Sequence, residues 1–299
     1  MVERAANRLL KPEVLARLGQ LDLVARTVVE GLTTGMHRSP HFGFSQEFAE
    51  YRAYNEGDDL RYVDWNVYAR TDRTYVKRFE GETNTTINLL LDTSASMKYG
   101  EPVSKIDQAR YLLASLAYIA RKQHDAIGLV IFDTKVRDIL TPSARPDSLH
   151  RALSLLEKTQ AGNATDINEA LSKLQASTTR KGLVVLVSDL YTDAEQLLSS
   201  MQPLAHAGQD IAVFHLLDQR EIEPELETIS ALKDLETAES VIVDPEFLRS
   251  SYRSRFSSHC KAIENTCRRI GADYKLVRTS DPLDAALQAY LRFRERRGR

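Results

Sequence analysis

The sequence has few cysteines and no long apolar run. Its two cysteines, Cys260 and Cys267, lie in a predicted helix around 245–270. Seven residues apart on a helix, they are separated by about 10 Å along the axis, which is beyond disulfide reach. No apolar run approaches the roughly 18 to 20 residues that a membrane-spanning helix needs, and the first residues, MVERAANRLLKPEV, contain no signal-peptide core. These absences predict a protein without a membrane span, working in a reducing cytoplasm.

The sequence also lacks a marked excess of charge of either sign. Forty basic side chains face 42 acidic ones, which gives a net charge of -2. A general nucleic-acid-binding protein is normally clearly basic, so we expect no nucleic-acid partner. The local exception is the basic tail RFRERRGR at residues 292–299. We interpret it as the solvated end of a last helix, favoured by the helix dipole, with RNA or DNA binding through the tail as an alternative.

Several catalytic and cofactor motifs are missing. The phosphate-binding pattern GxxxxGK[ST] does not occur, so we expect no ATP binding through a P-loop. A GxSxG nucleophile elbow is absent as well. The seven histidines show no metal-ligand spacing, and His215, inside an apolar strand, reads as a core residue with its hydrogen bonds satisfied.

The pattern of apolar residues predicts an α/β fold. From about residue 86, strand-like apolar runs alternate with helical stripes, which is typical of a doubly wound, mostly parallel sheet with helices on both faces. Upstream, residues 11–32 have a roughly helical period, and residues 46–84 read as short strands and turns without one. We therefore predict two parts: residues 1–84, an N-terminal helix with a β-rich segment, and residues 85–299, the α/β domain. Its predicted strands are 87–91, 126–133 and 135–140 as a hairpin, 183–188, 210–217, SVIVD, and a last one at DYKLV.

Five oxygen-bearing side chains follow predicted strands or sit in a loop at the same edge of the sheet. Asp92, Ser94 and Ser96 follow the first strand, Asp189 follows the strand LVVLVS, and Thr165 lies in the loop AGNATDINEAL. In such a sheet, ligands gather beyond the carboxyl ends of the strands. These are hard ligands, which suit Mg²⁺ first, with Mn²⁺ or Ca²⁺ as alternatives, and do not suit zinc or copper. With only two carboxylates, a bound ion would stay electron-poor and attract a carboxylate from outside.

This set resembles the metal-ion-dependent adhesion site of von Willebrand factor A domains, position by position. The upstream segment EFAEYRAYNEGDDLRYVDWNVYARTDRTYVKRFEGE is similar to the signature of the bacterial domain-of-unknown-function 58 family, in which it precedes an A-type domain. The resemblance implies a von Willebrand factor A-like fold for residues 85–299. It also implies a chaperone-like role beside a MoxR-type AAA+ ATPase in the maturation or assembly of other proteins.

Simpler structural roles stand beside these interpretations. Thr165 or Asp166 could merely cap the following helix. The signature segment holds five polar or aromatic candidates, which we interpret as a structural clamp, with partner docking as the alternative: Asp58, Asp59, Arg61, Asp64 and Trp65. Trp65, the only tryptophan, reads as a core or inter-domain anchor.

Two functional hypotheses follow. The first is a non-enzymatic module that uses a divalent ion to bind an acidic side chain of a protein partner, either a MoxR-type AAA+ ATPase or that ATPase's client. The second is a magnesium-dependent phosphohydrolase-like enzyme with Asp92 as nucleophile. Such enzymes need a second acid two residues further on as proton donor, and here that position is Ser94.

Overall fold

The computed structural model describes residues 11–36, 47–54, 63–80, 85–162, 164–177, 181–224, 230–233, 240–244 and 251–297. Contacts divide the chain into two compact units, one made of Met1–Gly35 with Thr85–Arg299 and the other of Met36–Asn84. The predicted division into 1–84 and 85–299 differs from this one in the position of the N-terminal helices, which belong to the larger unit.

The larger unit begins with two helices, α1 (Pro12–Leu15) and α2 (Leu21–Met36), separated by a 3-10 turn at Ala16–Leu18. Gly19 allows the break, because its φ of 73° is a backbone conformation that favours glycine. The backbone N–H of Leu21, at the start of α2, donates to Glu157 Oε1 at 3.1 Å. One stripe of these helices is buried: Leu15, Leu21, Val24, Ala25, Val28, Val29 and Leu32.

The smaller unit contains a two-stranded antiparallel sheet and one short helix. Strands β1 (Glu47–Ala53) and β2 (Tyr75–Glu80) pair with a bulge between Phe48 and Glu50. The strands agree with the predicted β-rich segment, but helix α3 (Trp65–Thr71) was not predicted. At about two turns, α3 is too short to show a helical period in the sequence.

The α/β part of the larger unit contains the predicted alternation of strands and helices. In chain order its elements are β3 (Thr86–Asp92), α4 (Lys105–Lys122), β4 (Ala126–Phe132), β5 (Val136–Ser143), α5 (Ser148–Lys158), α6 (Ile167–Ser177), β6 (Gly182–Ser188), α7 (Ala194–His206), β7 (Asp210–Leu217), α8 (Gln219–Ile222), β8 (Ser230–Lys233), β9 (Ser240–Val243), α9 (Arg253–Arg269), β10 (Asp273–Arg278) and α10 (Leu283–Arg297).

Six of these strands form one sheet in the order β10-β7-β6-β3-β4-β5. All neighbours are parallel except β4 and β5, which form the predicted antiparallel hairpin. The predicted α/β fold with a doubly wound, mostly parallel sheet, an N-terminal helix and a small β-rich segment is confirmed. β8 and β9 form a separate antiparallel pair.

The central strand β3 marks the topological switch point of the sheet. The chain moves from β3 to β4 on one side and later returns to β6 on the other. Connections leave the two strands in opposite directions, which opens a crevice beyond their carboxyl ends. Of the predicted functional residues, Asp92 is the last residue of β3 and Asp189 directly follows β6.

Apolar side chains fill both faces of the sheet. The six residues of β3 that follow Thr86 are all buried, as expected for a strand covered on both sides. One core cluster joins strands β3, β4, β6 and β7 to helices α6, α7 and α9 through residues such as Leu90, Val130, Leu171, Val184, Leu197, Met201, Val213 and Ile263. None of the helices in the described ranges has the length and hydropathy to cross a lipid bilayer. Cys260 and Cys267 are free thiols.

The amino edge of the sheet is closed by an ion pair that involves the basic tail. Arg294, on α10, donates to the carboxylate of Asp125 and to the side chain of Gln123. Asp125 directly precedes β4, and its other oxygen accepts the backbone N–H of Thr85 at 3.1 Å. At least this residue of the tail therefore has a structural role.

Candidate functional site

Asp92 lies at the centre of the candidate site, at the carboxyl end of β3. Its side chain is fully buried, at 0% exposed. Oδ1 accepts the backbone N–H of Ser94 at 2.9 Å, a turn that folds the chain back over the end of the strand. The 3-10 helix Ala95–Lys98 follows. This turn brings the hydroxyls of Ser94 and Ser96 within 3.0 Å of each other, so the alternating Asp-x-Ser-x-Ser spacing delivers three side chains to one place.

The loop before α6 brings Thr165 to the same place. Thr165 Oγ1 lies 3.5 Å from Asp92 Oδ1. Two backbone hydrogen bonds hold this loop against its neighbours: Gly162 N–H donates to the Thr93 carbonyl at 2.9 Å, and Asp166 N–H donates to the Asp133 carbonyl at 2.8 Å. Asp166 caps α6 by accepting the N–H of Asn168 at 3.0 Å. The cap is thus Asp166, which leaves the Thr165 hydroxyl to the candidate site.

The turn after β6 supplies Asp189 and a residue that the sequence did not single out, Ser188. The Ser188 hydroxyl donates to Asp92 Oδ2 at 2.6 Å and accepts the N–H of Leu190 at 2.9 Å. Leu190 has a φ of 52°, in the left-handed region. Such a conformation costs a non-glycine residue of order 1 kcal/mol or more, so the tight turn that carries Asp189 is held against some backbone strain.

Burial and a neighbouring carboxylate both act on the acidity of Asp92. Desolvation, followed by the charge of Asp189, raises the pKa of Asp92 to about 7, although the hydrogen bonds from Ser188 and Ser94 oppose the shift. Among the ion pairs of the described ranges, none involves Asp92. Within the described residues, the buried carboxylate of Asp92 is therefore supported by neutral donors.

Asp189, by contrast, has a cation beside it. Its Oδ2 accepts from the ammonium of Lys105 at 2.7 Å, and the same ammonium lies 2.5 Å from Glu221 Oε1. Lys105 is fully buried, and the ring of Tyr191 covers its ammonium, with 5.0 Å from Nζ to the ring centroid. Burial lowers the pKa of Lys105, but the two carboxylates outweigh that effect and raise it above the ordinary value. Lys105 is therefore a permanent cation at this edge of the sheet.

His215, predicted to be a core histidine, supports the turn that carries Asp189. It is fully buried on β7. Its Nε2 lies 2.8 Å from the Asp189 carbonyl, to which it donates, and its Nδ1 accepts from the Tyr274 hydroxyl at 2.8 Å. Burial lowers the pKa of His215 to about 4, so the ring is neutral at pH 7 and fixes the backbone of Asp189.

The five predicted residues thus come together at one edge of the sheet, from three separate loops. In the part of the chain that the structure describes, no three His, Cys, Asp or Glu side chains group closely enough to hold a metal ion. A cation here would rely on hydroxyl oxygens together with the carboxylates of Asp92 and Asp189, the second of which is also paired with Lys105. That donor set fits a hard divalent ion such as Mg²⁺. The raised pKa of Asp92 shows that its charged form is destabilised, and a bound cation would stabilise that form.

Of the signature-segment candidates, Asp58, Asp59 and Arg61 lie outside the described residues. Asp64 is the N-cap of α3, accepting the N–H groups of Asn66 at 2.9 Å and Val67 at 3.1 Å. Trp65 is 59% exposed, so it is not a core residue, whereas its role as an inter-domain anchor stays a prediction. As the first helical residue beside an inward-facing cap, Trp65 points outward and makes an edge-on contact with Tyr68 at 6.1 Å between ring centroids.

These two neighbours are expected to respond very differently to alanine. Asp64→Ala removes a helix cap and should cost about 1 kcal/mol of unfolding free energy. Trp65→Ala, at an exposed position, should change it by no more than about 0.5 kcal/mol. Urea unfolding of both variants checks this, and a loss above 2 kcal/mol for Trp65→Ala would support the anchor interpretation.

The fold and the site together define the class: a doubly wound α/β protein with hydroxyl and carboxylate oxygens clustered at the switch point of its sheet. Residues 50–265 match the family model described as protein of unknown function DUF58. The chain therefore belongs to that family.

Similar proteins include uncharacterized proteins and named ones. The chain is 26% identical over 278 residues to the uncharacterized protein Rv1480 of Mycobacterium tuberculosis, covering 90% of this chain and 86% of the relative. It is 27% identical over 190 residues to the magnesium-chelatase 67 kDa subunit of Chlorobaculum parvum, covering 62% of this chain but 28% of that protein.

Solved structures also align with the chain. BatB, a conserved hypothetical protein of Bacteroides thetaiotaomicron, gives a TM-score of 0.49 at 17% identity, covering 70% of this chain and 98% of BatB. The SpRpn10 VWA domain gives a TM-score of 0.40 at 12% identity, covering 67% of this chain and 92% of that domain.

Proposed function

We propose that this protein is a non-enzymatic binding module in which a divalent cation, Mg²⁺ first, links the chain to an acidic side chain of a protein partner. The residues that would hold the ion are Asp92, Ser94, Ser96, Thr165 and Asp189. The single observation that carries the proposal is the environment of Asp92. This buried carboxylate forms no ion pair among the described residues and is surrounded by hydroxyls from separate loops.

Each residue has a defined part in this proposal. The ion, when bound, supplies a Lewis-acidic position that a carboxylate from outside can occupy. Asp92 contributes negative charge, and the Ser188 hydroxyl keeps its carboxylate oriented through a hydrogen bond of 2.6 Å. Ser94, Ser96 and Thr165 contribute neutral oxygens, which bind without cancelling charge.

The partner that we propose is a MoxR-type AAA+ ATPase or its client, so that the protein assists the maturation or assembly of other proteins. The resemblance of the signature segment supports this partner. The 27% identity to a magnesium-chelatase subunit supports it in a general way, since that relative is by name one component of a larger assembly.

The two serines offer the first test. Ser94→Ala and Ser96→Ala each remove a neutral oxygen from the candidate site, and each is expected to weaken Mg²⁺ binding by at least about 10-fold, the lower end of what the loss of a supporting group costs a metal site. Isothermal titration calorimetry on the full chain measures this. The matched control is Ser199→Ala, whose exposed hydroxyl bonds to the Gln196 carbonyl at 2.8 Å. Affinity unchanged in both site variants would contradict the proposal.

The partner is tested with purified components. The immobilised chain is presented with a purified MoxR-type ATPase from the same organism, in Mg²⁺ and in EDTA, and with the Ser96→Ala variant. Retention in Mg²⁺ that is lost in EDTA and in the variant supports metal-dependent binding. Retention that ignores EDTA rules out the ion as the link.

The phosphohydrolase alternative has less support from the site. The position of the second acid is occupied by Ser94, whose N–H donates to Asp92, and a carboxylate at 0% exposed is poorly placed to attack a phosphorus atom. We expect a phosphatase screen with Mg²⁺ or Mn²⁺ to be blank. Turnover that disappears in Asp92→Asn would revive the enzyme hypothesis.

A further inference from the structure

Three segments of the chain at the carboxyl edge of the sheet meet at one buried ammonium group. Lys105 is the first residue of α4, Asp189 follows β6, and Glu221 lies in α8 directly after β7. The side chains of Lys105 and Asp189 are 0% and 1% exposed, and Glu221 is 13% exposed. A lysine is almost never fully buried unless it is paired, and here it has two carboxylates.

Both carboxylates are held in position by their own segments. Glu221 completes a capping box: its Oε2 accepts the backbone N–H of Asp218 at 2.8 Å, while the Asp218 side chain caps α8. Asp189 is fixed through its carbonyl by His215 at 2.8 Å. Because hydrogen bonds fix both carboxylates, the ammonium of Lys105 is held in a defined position, 2.7 Å from Asp189 Oδ2.

The ion pair with Lys105 makes the two carboxylates of the predicted metal site, Asp92 and Asp189, electrostatically different. Asp189 has an ammonium in contact, whereas the hydrogen bonds that Asp92 accepts from described residues come from Ser94, Thr165 and Ser188. An ion that approaches the set must compete with Lys105 for Asp189 but not for Asp92. A carboxylate whose charge is partly offset by a close cation attracts a second cation less strongly.

We infer that Lys105 is a built-in cation that sequesters the Asp189 carboxylate, so that a divalent ion bound at this site keeps positive charge for the carboxylate of a partner. The inference rests on the proposed function and adds to it a positioning residue, Lys105, together with Glu221, which shares the ammonium with Asp189. The arrangement lowers the affinity for the free ion and raises the need for an external carboxylate as the next anionic ligand.

The decisive variant keeps the net charge of the cluster constant. Lys105→Met/Glu221→Gln removes one positive and one negative charge, and it leaves Asp189 without its ammonium. If net charge alone set the affinity, this variant would bind ions as the wild type does. Sequestration predicts instead that the double variant binds Mn²⁺ about 10-fold more tightly, measured by titration calorimetry on the full metal-free chain.

A second variant keeps the inference open to contradiction if the first does not fold. Glu221→Gln preserves the capping acceptor but removes the charge that shares the ammonium, so Lys105 holds Asp189 alone. We expect Mn²⁺ binding at least about 3-fold weaker than in wild type. A merely structural role would lower the melting temperature of both variants without moving their affinities in opposite directions. The matched control is Arg268→Met/Glu264→Gln, an exposed pair on α9 at 3.0 Å, which should leave Mn²⁺ affinity unchanged.

The outcomes separate the inference from the proposed function. Wild type binding Mn²⁺ and a double variant binding no more tightly would overturn the inference alone, as would tighter binding in Glu221→Gln. Mn²⁺ binding in the double variant but not in wild type would support the inference and overturn the proposed function. No Mn²⁺ binding in any form would overturn both. Partner retention that is the same with and without EDTA would contradict the proposed function, but it would leave the Mn²⁺ affinities measured by calorimetry unchanged.

Discussion

Asp92→Asn is expected to stabilise the metal-free protein above pH 7 and, at the same time, to abolish its response to Mg²⁺. Both effects have one cause. The carboxylate is buried beside another acid, which raises its pKa to about 7, so its charged form weakens the fold until a cation compensates it. Asparagine retains the acceptor for the Ser94 N–H and can still bond to Ser188, but it carries no charge.

The direction of the pH dependence follows from the two pKa values. An unfolded aspartic acid has a pKa near 3.8, whereas Asp92 in the folded protein has one of about 7. Below the pKa of the unfolded state, Asp92 is protonated in both states, and it does not lower the unfolding free energy. As the pH rises toward the folded value, the unfolded state loses its proton first, so stability falls by up to about 1.4 kcal/mol per pH unit. Above pH 7 the cost levels off at a few kcal/mol.

Urea unfolding in EDTA measures this effect. The variant should match the wild type near pH 4 and exceed it by roughly 2–4 kcal/mol at pH 8. Adding Mg²⁺ at pH 8 should then stabilise the wild type but not the variant. Asp133→Asn is the contrasting control, because Asp133 already has Arg137 as a partner at 2.5 Å. That control should lose stability and keep its Mg²⁺ response. A destabilised Asp92→Asn in EDTA at pH 8 would contradict the account.

The sequence predicted the parts of the site that depend on strand ends. The sequence predicts that Asp92 and Asp189 are close together because each follows an apolar run, and parallel strands end at one edge of the sheet. Thr165 could be added because its loop leads into a helix from that edge. Because β3 and β6 are neighbours in the sheet, their carboxyl ends lie side by side, which is why strand ends alone bring Asp92 and Asp189 to one place.

Lys105 and Ser188 could not be predicted in the same way. A lysine at the first position of a helix is unfavourable for the helix dipole and reads as an ordinary surface residue. Its burial depends on Glu221, 116 residues further along the chain, which sequence spacing cannot show. Ser188 ends an apolar strand, and only the register of β6 beside β3 directs its hydroxyl to Asp92. Helix α3 was missed because its cap, Asp64, read as one carboxylate among several.

Arg294→Met is expected to lower the unfolding free energy by about 3–5 kcal/mol, the cost of leaving a buried charge without its partner. The charge is that of Asp125, whose side chain is 0% exposed and pairs with the Arg294 guanidinium. Burial raises the pKa of Asp125 even with the arginine in place, so the loss should be fully developed at pH 7 and smaller in acid. Arg294 comes from the basic tail, which the sequence predicted to be the solvated end of a last helix, with nucleic-acid binding as the alternative.

Because of the position of this pair, Arg294→Met tests whether Mg²⁺ binding at the carboxyl edge is independent of stability at the amino edge. Asp125 and Thr85 precede β4 and β3, so the pair closes the amino edge of the sheet, whereas the candidate metal site lies at the carboxyl edge. Arg294→Met should therefore change Mg²⁺ affinity by less than about twofold while the protein is folded. Adding Asp125→Asn removes the unpaired charge and should recover much of the lost stability. The exposed neighbour Arg292→Met is the matched control. A loss below 1 kcal/mol for Arg294→Met would mean that the arginine is not needed by Asp125, and the tail would again be a candidate for binding polyanions.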